Sequence, residues 1–379
     1  MTAKELLTAI QLSGDKVNKN TEFLELAERD SDLFDKKFVN DYIKSKYSRL
    51  PTDFQNSHFY DIIDESFSVL KNIVLNFNIN FDGQTIEPCD IPLFGTADFK
   101  EFNAFVETSD SEPVIVFNEG LLMFTQKLME IYTMEHWLRA RNKMTEQMEH
   151  LLTLNFFDIM FCFHLFSNAY YAIPLAWCNI EDLNDVGSPE KLYELESPFD
   201  EHIGKQDYMI FEYEISLSTY LWIAAHEYSH IVLGHLKDNN DTTRLNLNEV
   251  EVDKIILNRK QEFDADLLGA IITLESDSSN FLANGIYFAL TCLMLSSIGN
   301  SENPHSEYPP VRDRLNNIFN NIAVSSNYSL SNYMNVDAVF SRKYQAFEIL
   351  LHRIKENNIS FSSIQEMQHY IYKVYPLEN

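Results

Sequence analysis

Cysteine is scarce in this chain. Cys89, Cys162, Cys178 and Cys292 are the four among 379 residues, and they form no CxxC pair. That excludes a dense disulfide framework and points to a reducing compartment. Cys162 and Cys178 lie in strongly apolar stretches, where free buried thiols are common. Glycine and proline are also few, 10 and 11. With 45% hydrophobic and 13% aromatic residues, the composition supports a large core and excludes a disordered chain. Positive charge is in short supply: 29 Lys and Arg face 57 Asp and Glu, for a net charge of -28. Such a surface repels phosphate backbones, so no nucleic-acid partner is expected.

Long uninterrupted apolar runs are missing too. The longest, from Asn155 to Trp177, carries Asp158, His164, Asn168 and Pro174, which a membrane span tolerates poorly. Ile286 to Ile298 is too short to span. The opening MTAKELLTAIQLSGDKVNKN has a short amphipathic run and no apolar signal core. The expectation is a cytoplasmic protein that does not enter membranes. No GxGxxG, no GxxxxGKS/T loop and no GxSxG elbow occurs, which leaves nucleotide-loop and serine-hydrolase signatures unsupported. His136, His150 and His164 are isolated and are expected to be core or surface histidines.

At about 150 residues per domain the length suggests two or three domains, or one large domain with additions. No internal repeat is present. The expected organisation is a mostly helical region at 1–80, a central domain at 81–325 and a helical extension at 326–379. Residues 81–95 read as loop. Pro113-Val114-Ile115-Val116-Phe117 is a short β-branched strand, followed by a helix from Leu121. Helical patterns cover 144–176, Glu212 to Leu236, 249–275 and 280–298. Residues 179–208 read as a long polar loop or lid, 237–248 as a polar connection and 299–310 as loop. A helix follows from Val311, and two more close the chain at 338–356 and 362–373. The fold class expected is α+β and mainly helical, with two site helices beside a small sheet.

Chemistry concentrates at His226-Glu227-Tyr228-Ser229-His230, an HExxH sequence preceded by apolar Leu221-Trp222-Ile223-Ala224-Ala225. On a helix, residues four apart share a face, so both imidazoles can reach one ion. Glu227 beside them can take a proton from water. Ionisable groups on so apolar a helix need a reason. A third ligand is required. One metal-peptidase pattern places Gly and His at the third and sixth positions after the second His; Leu233 and Leu236 stand there, which excludes it. The other main pattern takes a Glu from a following helix, and Glu262 in Gln261-Glu262-Phe263-Asp264-Ala265-Asp266 supplies one. Asp264 is the other candidate. Asp266, four residues after Glu262, can accept from the outer nitrogen of a ligand His.

The combination His226-Glu227-x-x-His230 with Glu262-x-x-Ala265-Asp266 resembles the gluzincin peptidases of the M48 family. His235, five residues after His230, falls where that family often has a His. Tyr308-Pro309-Pro310-Val311-Arg312-Asp313-Arg314-Leu315 resembles the family's His-Pro-Pro-x-x-x-Arg segment, with Tyr308 standing where His is expected. The family's usual membrane helices are missing. Soluble phage-exclusion peptidases of the Lit kind are similar in carrying an HExxH helix without spans, which implies a toxin-like or defence protease with a protein target.

The resemblance implies a zincin-like core and one zinc ion per chain. It implies hydrolysis of peptide bonds in a protein or peptide substrate, with Glu227 as general base. Tyr308, backed by Arg314, would stabilise the oxyanion, and His305 is the alternative donor. Peptidases of this kind present a sheet edge to an extended substrate, which assigns that role to Val114, Ile115, Val116 and Phe117. The reading from another class is a non-catalytic regulatory or protein-binding module on a peptidase scaffold.

Overall fold

The computed structural model describes residues 2–13, 52, 57–76, 79–97, 103–109, 112–167, 202–236, 242–247, 250–255, 259–275, 280–296, 311–325, 334–359, 361 and 364–375. In chain order the helices are α1 (Ala3–Ser13), α2 (Ser57–Asn76), α3 (Glu119–Ala140), α4 (Glu146–Ser167), α5 (His202–Val232), α6 (Arg259–Glu275), α7 (Asn280–Ser296), α8 (Val311–Ser325), α9 (Met334–Glu356) and α10 (Ile364–Val374). The strands are β1 (Ile79–Phe81), β2 (Gln84–Ile86), β3 (Leu93–Ala97), β4 (Ala104–Ser109), β5 (Glu112–Asn118), β6 (Thr242–Leu247) and β7 (Val250–Ile255). The protein is mainly helical with small sheets, in keeping with the α+β expectation. Among the described residues no helix is long and apolar enough to cross a membrane.

The three-stranded sheet has the order β3-β5-β4. β5 pairs parallel with β3, with Phe94 opposite Ile115, and antiparallel with β4, with Val106 opposite Ile115. Its side chains alternate between two cores, as the pleat requires. Val114 and Val116 join Leu6, Leu7 and Ile10 of α1, while Ile115 and Phe117 face the main helical core. On that side Phe67 of α2 stacks on Phe94 at 4.2 Å and meets Phe117 edge-on at 6.1 Å. Gln11 Nε2 donates to the Thr96 carbonyl at 2.6 Å, which fixes the end of α1 on the sheet.

This arrangement corrects the expectation for Val114, Ile115, Val116 and Phe117. They form the middle strand of the sheet, and all four are fully buried. A continuous β-branched run signals burial on both faces rather than an edge, and an edge strand would leave main-chain groups unpaired. Two other segments also differ from expectation. Residues 81–95 hold a β1–β2 hairpin turned at Asp82 and Gly83, both at positive φ, and then β3. Asp-Gly is a strong two-residue hairpin signal. Residues 242–247 and 250–255, expected as connection and helix start, form the antiparallel pair β6–β7 with Leu247 opposite Val250.

α5 is the organising element. Its 31 residues pack against α6 and α7 and against α2, α3 and the sheet. Leu221, Trp222, Ala224 and Ala225 are buried on it, so its apolar stretch is enclosed by neighbours rather than set on one surface. Two glycines set the crossings. A Cβ at Gly269 of α6 would lie 2.9 Å from the His226 nitrogen and 3.0 Å from its Cα. A Cβ at Gly285 of α7 would lie 2.1 Å from Ser218 Oγ and 2.6 Å from the Ser218 carbonyl carbon. Gly269→Ala must push α6 off the backbone that carries His226. It is expected to lower stability by about 1–3 kcal/mol, measured by denaturant unfolding. Unchanged stability would contradict the close crossing.

Around this centre, α3, α4, α9 and α10 build an aromatic core containing Phe156, Phe157, Phe340 and Phe347. Lys343 of α9 donates to Glu135 of α3 inside it, and Arg139 joins Glu135 at 2.8 Å to Glu149 at 3.1 Å. Cys89 and Cys292 are free thiols, the first exposed and the second buried.

Candidate active site

HExxH occupies the last turns of α5, and the helix end shapes the site. Gly234 has φ +73°, a conformation glycine adopts without a Cβ penalty. The Gly234 amide donates to the Ile231 carbonyl at 3.1 Å and the His235 amide to the His230 carbonyl at 3.0 Å. These are the paired bonds of a Schellman helix end. The reversal folds His235 back over the last turn, and its Nδ1 lies 2.9 Å from Nδ1 of His230.

His226 and His230 lie one turn apart on one face, as their spacing of four requires. Their Nε2 atoms stand 3.2 Å apart. Glu262 enters from α6, with its carboxylate oxygens 3.6 Å from His226 Nε2 and 3.7 Å from His230 Nε2. Two ligands held at about 2.0–2.1 Å in a tetrahedron would themselves stand roughly 3.3 Å apart, so the imidazole pair is spaced for one ion. The outer nitrogens face other groups. His226 Nδ1 lies 3.0 Å from Asp266 Oδ1, and His230 Nδ1 faces His235. A proton on each outer nitrogen would leave the inner lone pairs of both rings converging with a carboxylate. His226, His230 and Glu262 are all buried, and the group could bind a metal ion.

Asp266 is fixed in turn. Arg314, near the start of α8, grips it with Nε to Oδ2 at 2.7 Å and Nη2 to Oδ1 at 2.6 Å. The same Nη2 lies 3.7 Å from Glu262. Asn317 Nδ2 donates to the Phe263 carbonyl at 3.2 Å, a second tie between α8 and α6. Tyr228, inside the motif, holds the segment before β3: its hydroxyl donates to the Cys89 carbonyl at 2.9 Å and accepts from the Cys89 amide at 3.0 Å.

The electrostatics follow from burial and from the neighbouring charges. Burial raises the Glu227 carboxyl to about 8, with His226 opposing the shift and Glu262 adding to it. Glu262 is also raised by burial, against the pull of Arg314. Burial and the neighbouring His226 hold His230 well below the usual imidazole range, the neutral form a ligand needs. Burial works against the His226 imidazolium, yet Asp266 outweighs it and the net shift is upward. Burial would raise Asp266, but Arg314 and His226 keep it below the ordinary carboxylate range. Three buried carboxyl groups (Glu227, Glu262 and Asp266) thus share one permanent cation, Arg314, which holds Asp266 directly.

The structure therefore brings together His226, Glu227, His230, Glu262, Asp266 and Arg314. Asp264, the other candidate ligand, is half-buried on a different side of α6 from Glu262 and Asp266. Tyr308 and His305 lie outside the described residues, as does the lid segment over 179–201; residues 202–208 are the first turns of α5. Three features escaped sequence reasoning. The close approach of Gly269 had one signal, a glycine inside an otherwise helical apolar pattern. The contact of His235 had Gly234 just before it, a helix-stop residue. The Tyr228–Cys89 anchor had none.

No curated protein and no solved structure matches the chain. Every one of the six site residues falls within 175–334, and that segment matches the family model Peptidase U49, which supports a peptidase function.

Proposed function

We propose that the protein is a zinc-dependent endopeptidase of gluzincin type, with His226, His230 and Glu262 as ligands. The observation that carries this reading is the convergence of two imidazole nitrogens and a carboxylate in one buried group, with Glu227 adjacent. The Peptidase U49 match over the same segment supports it. Zinc is the choice among divalent ions because two imidazoles and one carboxylate form a well-known catalytic set that leaves a position open. Bound there, zinc would supply Lewis acidity toward a peptide carbonyl and water.

The protein's own groups supply the proton chemistry. Glu227 is adjacent to His226 in sequence and buried with it, and no ligand role falls to it. It takes the proton from the attacking water and returns it to the leaving amine as the C–N bond breaks. Asp266 orients His226, and Arg314 holds Asp266. Tyr308 is the proposed oxyanion donor, six residues before Arg314 in the segment that leads into α8. The substrate is a protein, cut in the cytoplasm.

The ligand set is tested by metal content. Purified protein should carry one zinc per chain, and His230→Ala and Glu262→Ala should each lose it while remaining folded. Full zinc content in Glu262→Ala would require a different third ligand.

A further inference from the structure

His235 has no part in the ligand set, yet it is buried against it. The Schellman end of α5 places it there: Gly234 reverses the chain, and His235 takes the position after it. In such helix ends that position commonly makes an apolar contact with the last turn. Here it makes a polar one, Nδ1 to Nδ1 with His230 at 2.9 Å, and the ring is buried.

Two imidazole nitrogens at that distance need one proton between them. His230 directs Nε2 toward His226 and Glu262, where a lone pair is needed. Its proton then sits on Nδ1, which makes His230 the donor and His235 Nδ1 the acceptor. His235 consequently carries its own proton on Nε2. The arrangement parallels the other ligand, where Asp266 faces Nδ1 of His226. A carboxylate orients one imidazole and a neutral imidazole orients the other.

We infer that His235 is a positioning residue that fixes the ring orientation and tautomer of His230, so that its Nε2 lone pair is ready for the metal. The inference rests on the zinc reading of the site.

The test is zinc affinity, measured by competition with a chromophoric chelator, on wild type and three variants. His235→Leu restores the usual apolar contact at the helix end and removes the acceptor. His235→Asn keeps an oxygen acceptor near the Nδ1 position, whereas His235→Gln places it one carbon further out. The expected result is a loss of roughly 10–100-fold in zinc affinity for Leu and Gln, with Asn close to wild type. Thermal unfolding of the metal-free proteins should be unchanged for Leu, which a merely structural role would not allow. Wild-type affinity in His235→Leu, or equal weakening in Asn and Leu, would overturn the inference. If wild type itself takes up no zinc, the ligand reading fails instead, and the two failures are distinct. Should His235→Leu not fold, the Asn and Gln pair decides the matter alone.

Discussion

Glu227→Gln is expected to fold, to keep its zinc and to lose peptidase activity by roughly 10²–10⁴-fold, the range for a positioned general acid–base group. The substitution preserves the size and polarity of the side chain and removes its capacity to accept a proton. Because Glu227 is buried and its carboxyl is pushed up by that burial, a neutral amide at this place costs the fold little. It relieves part of the repulsion from Glu262. Metal content separates this outcome from a damaged site. Turnover retained at the wild-type rate would remove Glu227 from the mechanism, and lost zinc would make it a ligand.

Arg314→Leu is expected to destabilise the fold by about 3–5 kcal/mol, the usual result of stripping one partner from a buried ion pair. Asp266 is fully buried and takes two short bonds from Arg314, at 2.6 and 2.7 Å. Without the guanidinium its charge faces Glu262 and Glu227 uncompensated. Zinc binding should weaken as well, since Asp266 is what faces the outer nitrogen of His226. Adding Asp266→Asn to Arg314→Leu should recover part of the lost stability, because the carboxylate that loses both its short bonds is then replaced by a neutral amide. Denaturant unfolding of the two single variants and the double variant measures the coupling. Additive losses would show that the pair does not act as a unit.

The parts of the site that sequence reasoning found are those fixed by local geometry. His226 and His230, like Glu262 and Asp266, are four residues apart on helices, and 3.6 residues per turn puts each pair on one face. The transition from β5 to α3 was also legible, since the β-branched run ends where Asn118-Glu119-Gly120 begins. What stayed hidden depends on partners far along the chain. The unbroken β-branched run Val114–Phe117 favoured a buried strand over an edge, but its partners, β3 and β4 on either side, lie elsewhere in the chain and are not reported by the run itself. The hold of Arg314 on Asp266 spans 48 residues, so spacing could suggest Arg314 as a site residue but not its partner. β6 and β7 were readable in principle. Leu245, Leu247, Val250 and Val252 alternate with polar residues on their strands, a period of two, but the polar residues up to Asn248 resembled a solvated connection and 250–255 were read as the start of the following helix. The reversal at Gly234 is a three-dimensional consequence of a single positive φ. It turns His235 from a sequence neighbour of the motif into a neighbour of His230's outer nitrogen.

The most direct measurement is zinc add-back. Protein stripped with a chelator is supplied with increasing zinc, and cleavage of unfolded casein is followed at each addition. The account predicts no cleavage by the stripped protein, a rise with added zinc that saturates at one ion per chain, and no rise in Glu227→Gln at any zinc level. Cleavage that is the same with and without zinc would contradict it, as would a stripped protein that takes up zinc with no site in common with His226, His230 and Glu262.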